Sequence, residues 1–116
     1  MIDYGAGGDY GNSFSIFTDP DNELSAGGYG ITVGSYTIIT DTWYHAVTVY
    51  DGLDLKLYIN GTQEGSSPET LGIVLAGSIK IGNTTGAVLS IAGARIYNRA
   101  LTESEIAQLA AEFSPA

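Results

Sequence analysis

The chain has 116 residues with no cysteine, 16 glycines and 8 tyrosines, and its 13 acids against four bases leave a net charge of −9. This length suits one domain spanning residues 1–116, and the lack of cysteine excludes disulfides, thiolate metal sites and cysteine nucleophiles. So few bases speak against a phosphate-binding surface, and no apolar run approaches the ~20 residues of a membrane span, so neither nucleic acid nor membrane insertion is expected.

The first residues, Met1-Ile2-Asp3-Tyr4-Gly5, lack a basic region followed by an apolar stretch, so no signal peptide is read there. Ser13 to Thr18 places Phe14 and Ile16 on one face of a strand. Asp19-Pro20-Asp21-Asn22 follows as a turn, because proline presets φ and Asp or Asn suits the other positions. Gly27 to Val33 reads as a glycine-broken strand, and Tyr36, Ile38 and Ile39 belong to another. Trp43 to Tyr50 alternates with Trp43, His45, Val47 and Val49 on one face and Tyr44, Ala46, Thr48 and Tyr50 on the other. Both faces are apolar, which predicts a central strand covered on each side.

After the Asp51-Gly52 turn, Leu55, Leu57 and Ile59 alternate with Lys56 and Tyr58, and Asn60-Gly61 closes a tight hairpin. A type I′ turn needs positive φ at both central positions, which Asn-Gly tolerates best. Further strands are predicted at Ser78–Gly82 and Leu89–Tyr97, with Gly93 as a bulge, for eight or nine strands in all. The period then changes. Thr102-Glu103-Ser104-Glu105 is a capping box, and Ile106, Leu109, Ala110 and Phe113 form the apolar stripe of a short helix.

Four segments carry a family resemblance. Thr42-Trp43-Tyr44-His45-Ala46-Val47-Thr48-Val49-Tyr50-Asp51-Gly52 resembles the Trp-x-His-x-x-x-x-Tyr-Asp-Gly strand of bacterial laminin G-like domains. Leu55 to Gly61 resembles the next strand and its hairpin, and Ile79-Lys80-Ile81-Gly82-Asn83 a later one. Ala94-Arg95-Ile96-Tyr97-Asn98-Arg99-Ala100-Leu101-Thr102 is similar to the closing segment before the helix. The resemblance covers residues 42–113, while residues 1–41 share only the rhythm of glycines and alternating apolar residues. It implies an all-β fold: an antiparallel two-sheet jelly-roll sandwich of concanavalin A-like type with one short C-terminal helix. Relatives carry further strands before the region matched by Met1, so a shortened or incomplete domain is expected. The acidic pair that often precedes the Arg-Ile-Tyr segment is replaced here by Ala92-Gly93.

Candidate site residues are few. Asp19, Asp21 and Glu23 alternate at a turn; turn chemistry explains them, and calcium, which takes six to eight oxygens, is the alternative. The family resemblance also implies a calcium precedent, since many laminin G-like domains hold the ion at the sandwich rim. A catalytic reading fails because Pro20 breaks the strand that would present paired acids. His45, the single histidine, has no neighbouring serine or acid motif and is expected to pack or hydrogen-bond. Trp43 is expected in the core. Tyr29 and Tyr36, like Tyr4 and Tyr10, lie in glycine-rich segments where an exposed ring stacks on a sugar face, and these two are the ligand-binding candidates. Asn60 and Asn83 head glycosylation sequons, but the first is explained by its hairpin.

The resulting expectation is a non-catalytic module that recognises carbohydrate or a surface glycoconjugate, with no certain cofactor. The alternative is a structural or adhesion domain of a surface or virion assembly that binds protein. Its partner is then a glycan or a surface protein, its place extracellular, at the cell surface or on a virion. The expected lack of the N-terminal strands would leave an apolar face or strand edge for another chain to cover, which predicts a homo-oligomer, a dimer being the commonest form.

Overall fold

The computed structural model describes residues 2–5, 13–19, 21–28, 30–72, 79–81 and 90–112. They form an antiparallel β-sandwich with one short C-terminal helix. Eight strands are described: β1 (Ile2–Gly5), β2 (Ser13–Thr18), β3 (Glu23–Gly28), β4 (Ile31–Thr37), β5 (Ala46–Tyr50), β6 (Asp54–Ile59), β7 (Thr62–Pro68) and β8 (Ile79–Ile81), followed by α1 (Glu103–Glu112). One sheet has five strands in the order β4-β3-β2-β1-β8, and the other has three in the order β5-β6-β7. Among the described residues no helix is long and apolar enough to cross a membrane.

The core follows from strand alternation. Leu55, Leu57 and Ile59 of β6 point inward, where they meet Ala26, Ile31 and Val33 of the larger sheet. The opposite face of the small sheet is covered as well, because Val49 and Tyr58 pack against Ile106 of α1, with Val47 and Leu101 at the margin. The apolar character of both faces of β5 is thus explained: one face meets the other sheet and the second meets the helix. Its position differs from expectation, however, since among the described residues β5 is the end strand of its sheet and not a central one. It also starts at Ala46, because residues 43–45 leave the ladder.

Two turns match their sequence signals. Asn60 and Gly61 have φ of 52° and 84°, the paired positive values a type I′ hairpin needs. At the helix start, the Glu105 N–H donates to Thr102 Oγ1 at 3.2 Å and the Thr102 N–H donates to Glu105 Oε1 at 3.1 Å, which completes the capping box. Arg99 then grips both carboxylate oxygens of Glu105, at 2.8 and 2.5 Å.

Three strand expectations are corrected. Gly27 to Val33 is not one strand but the tip of the β3–β4 hairpin, with Gly27 pairing Thr32 and Gly28 pairing Ile31. A Cβ on Gly27 would sit 2.0 Å from the Ile31 carbonyl oxygen, so the glycine marks a close backbone approach. The second strand there ends at Thr37; Ile38 is half-buried and Ile39 is exposed beyond it. Finally, residues 90–97 carry no strand. Gly93 adopts φ of 62°, a bend that breaks the extended path, and Ile91, Ile96 and Tyr97 are exposed. Leu89, Ser78, Gly82 and Phe113 lie outside the described residues, so the helix stripe is described as buried Ile106 with Leu109 and Ala110 half-buried.

Candidate binding site at one end of the sandwich

Two connections meet at one end of the sandwich. The first is the β2–β3 turn. Asp19 Oδ1 accepts the N–H groups of Asp21 and Glu23, both at 3.0 Å, and the Asn22 N–H donates to the Asp19 carbonyl at 3.2 Å. Asn22 takes the left-handed φ of 61° that closes the turn. The Glu23 carboxylate receives the Ser35 hydroxyl of β4. Asp19 and Glu23 therefore have turn-building roles, while Asp21 is exposed. Among the described residues no three or more His, Asp or Glu side chains come together.

The second connection runs from Ile38 to His45, and the Ile38 N–H donates to the Asn22 carbonyl at 2.9 Å, tying it to the first. The connection is aromatic. Tyr44 packs edge-to-face on Tyr36 with ring centroids 5.8 Å apart and planes at 71°, a favoured geometry for rings of opposed edge and face charge. Its hydroxyl accepts the Ile39 N–H at 3.0 Å, which pins the loop. Both tyrosines lean on the core. Outside this supported pair, Trp43 is 47 % exposed and Ile39 is 68 % exposed.

The expectation of Trp43 in the core is thus corrected. The alternation that would have buried it stops at His45, and Thr40, Asp41 and Thr42 form a turn, with Asp41 at φ of 57°. Tyr36 is half-buried and engaged with Tyr44, so it braces the site and the exposed ring belongs to Trp43. Tyr29 and Tyr10 lie outside the described residues, as does the side chain of Tyr4. The polar Thr40-Asp41-Thr42 run beside a tryptophan was the available signal for an exposed ring.

His45 anchors this end to the β6–β7 hairpin: its N–H donates to Asn60 Oδ1 at 2.9 Å and its carbonyl accepts the Asn60 N–H at 2.8 Å. Partial burial first, then the positive charge of Arg95, lower its imidazole pKa and favour the neutral ring. Two carboxylates elsewhere are shifted further. Asp51 is held at about 2, mainly by the N–H groups of Asp54 and Leu53, with Lys56 at 3.3 Å adding to it. Glu105 is held at about 2 by Arg99 and the Thr102 N–H.

These shifts set an acid limit. Both carboxylates sit below their ordinary values of 3.8 and 4.5, so their contribution is complete above about pH 4.5 and is lost as pH falls toward 2. Neutral His45 adds a loss that begins as pH falls below 6.5. We expect the melting temperature to decline between about pH 6 and pH 2.5, and the decline below pH 4.5 to flatten in Asp51→Asn/Glu105→Gln. An equal slope in that variant would show that other acids control the transition.

Two shallow recesses lie elsewhere among the described residues. One is lined by Gly52, Leu53, Pro68, Glu69 and Thr70, with a single carboxylate. The other lies between Tyr97, Leu101 and α1 and contains Glu105 and Glu112, of which the first is engaged by Arg99 and the second by Gln108.

Comparison with known proteins gives a family and a fold neighbour. A laminin G-type family described as the concanavalin A-like lectin/glucanases superfamily matches residues 2–107, and so extends through the first 41 residues, where only a rhythm had been legible. No match is found among curated proteins. A solved structure similar to this chain is that of an S-layer domain-containing protein (residues 221–444) from Clostridium thermocellum, with TM-score 0.53 and 24 % identity. The match covers 93 % of this chain and 60 % of that one.

Proposed function

Since the chain belongs to the concanavalin A-like lectin/glucanases superfamily, we propose that it is a non-catalytic binding module that recognises carbohydrate or a surface glycoconjugate. The observation that carries this reading is Trp43, nearly half exposed beside a loop braced by the Tyr36–Tyr44 pair. A flat exposed ring on a braced loop suits the apolar face of a pyranose, and preorganisation of the loop lowers the entropy lost on binding. Fold alone is a weak warrant for a ligand, so the proposal rests on the site.

A glycan array is expected to give selective signals that Trp43→Ala lowers at least tenfold in affinity, with an unchanged melting temperature. Uniform silence would favour the second reading, a structural or adhesion domain that binds protein. That alternative is supported by the S-layer protein neighbour and by the exposed apolar residues Ile91, Ile96 and Tyr97. Under either reading the module works extracellularly, at a cell or virion surface.

The proposal includes self-association. Among the described residues β5 ends its sheet, and strand edges favour pairing across a two-fold axis. Light scattering over a dilution series is expected to show a dimer that dissociates on dilution; a constant monomer mass would remove this part of the proposal.

A further inference from the structure

The course of the chain just after Trp43 is set by a side chain on another strand connection. In the β5–β6 ladder Ala46 pairs with Ile59, so His45 and Asn60 are the next facing positions. An antiparallel pair there would exchange two backbone hydrogen bonds. Half of the exchange is made: the Asn60 N–H donates to the His45 carbonyl at 2.8 Å. For the other half, Asn60 has already left the strand, because its φ of 52° turns β6 into β7. The His45 N–H donates instead to Asn60 Oδ1 at 2.9 Å.

Asparagine thus meets two demands at one position. Its tolerance of positive φ closes the hairpin, and its side-chain carbonyl stands in for the strand carbonyl that the turn withdraws. The hairpin tip is itself backed by α1, since a Cβ on Gly61 would lie 3.4 Å from Ala110 Cβ and 3.5 Å from Ala107 Cα. On the other side of the bond, the His45 ring keeps its Nδ1 buried. Trp43 therefore lies between two fixed points, Ile39 on the Tyr44 hydroxyl and His45 on Asn60.

We propose that Asn60 is the positioning residue for the Trp43 indole: its side-chain carbonyl, by holding the His45 N–H, sets the path of residues 43–45 and so the direction in which the exposed ring is presented. For its effect on binding, the inference rests on the reading of the Trp43 end as a glycan site. Two variants separate the demands on Asn60. Glycine accepts positive φ and keeps the hairpin but offers no acceptor, whereas aspartate keeps the backbone preference and an oxygen at the same reach.

Trp43 is the single tryptophan, so the fluorescence of the full chain reports this ring alone. In time-resolved anisotropy, Asn60→Gly is expected to enlarge the nanosecond decay of the indole, and Asn60→Asp to match the parent. Hydrogen exchange of the His45 N–H, read by NMR, is expected to quicken by roughly tenfold in Asn60→Gly. On the glycan array, Asn60→Gly is expected to lower affinity for the sugars that the parent selects by roughly two- to tenfold, the factor that one net hydrogen bond supplies, and Asn60→Asp to restore it. Equal anisotropy decays for the parent and Asn60→Gly overturn the positioning role. An unprotected His45 N–H in the parent overturns it too, a result that does not depend on any variant folding. A mobile ring in both variants would assign the effect to the turn and not to the acceptor, and overturns it as well. Unchanged sugar affinity in a variant with a mobile ring would break the link from positioning to binding. Ring mobility as expected, with no sugar bound by the parent, leaves the positioning role standing and overturns the glycan reading.

Discussion

Ile106→Ala is expected to destabilise the protein by about 2–5 kcal/mol, the range for removing a fully buried aliphatic side chain and leaving a cavity. Ile106 is the fully buried residue of α1, and it closes a cluster with Val49 and Tyr58 on the outer face of the small sheet. No described strand covers that face, so the helix is what keeps these side chains from water. For a domain of this size the melting temperature should fall by about 4 °C per kcal/mol. Deleting residues 103–116 should lower it at least as far. A melting curve unchanged by either alteration would mean that α1 is an appended tail, contrary to its packing.

Gly65→Ala is expected to cost about 1–3 kcal/mol or more, because a new Cβ would meet backbone that has nowhere to yield. Gly65 of β7 faces Gly34 of β4 across the two sheets, and its Cβ would lie 2.5 Å from the Gly34 Cα and 2.7 Å from its nitrogen. Sheets ordinarily pack about 10 Å apart, filled by side chains. Here the sandwich closes by backbone on backbone, and Gly34 adds a positive φ of 72° that a side chain would strain. Chemical denaturation of Gly65→Ala should give a clearly lower midpoint, while Gly72→Ala, with nothing within 4 Å, should match the parent. Equal midpoints for the two variants would show that the β4–β7 approach is looser than described.

Local chemistry was readable wherever one residue type answers one backbone need. The Asn60-Gly61 hairpin, the Thr102–Glu105 capping box and the inward Leu55-Leu57-Ile59 face all follow from φ preferences, cap hydrogen bonds and two-residue alternation. The family-like motifs around Trp43 and Arg95 likewise pointed to the two-sheet sandwich.

Tertiary structure decided what alternation cannot encode. An apolar strand face is the same in sequence whether a sheet or a helix covers it, so the cover that α1 gives one face of β5, and the place of β5 at the end of the described three-stranded sheet, are set by tertiary packing. Similarly, a tryptophan at the end of an alternating run is core or platform according to where the ladder stops. It stops after His45, where the Asn60 side chain and backbone take over the hydrogen bonds, and Trp43 is left outside. The Asp19–Glu23 acids were visible as a turn from their spacing, and the N–H groups of Asp21 and Glu23 close that turn on Asp19 Oδ1. The candidate site itself joins residues 19–23 with 38–45, an adjacency made by the pairing of β3 with β4. Residue order specified the pieces, and the packing of the two sheets and the helix determined which side chains reach solvent together.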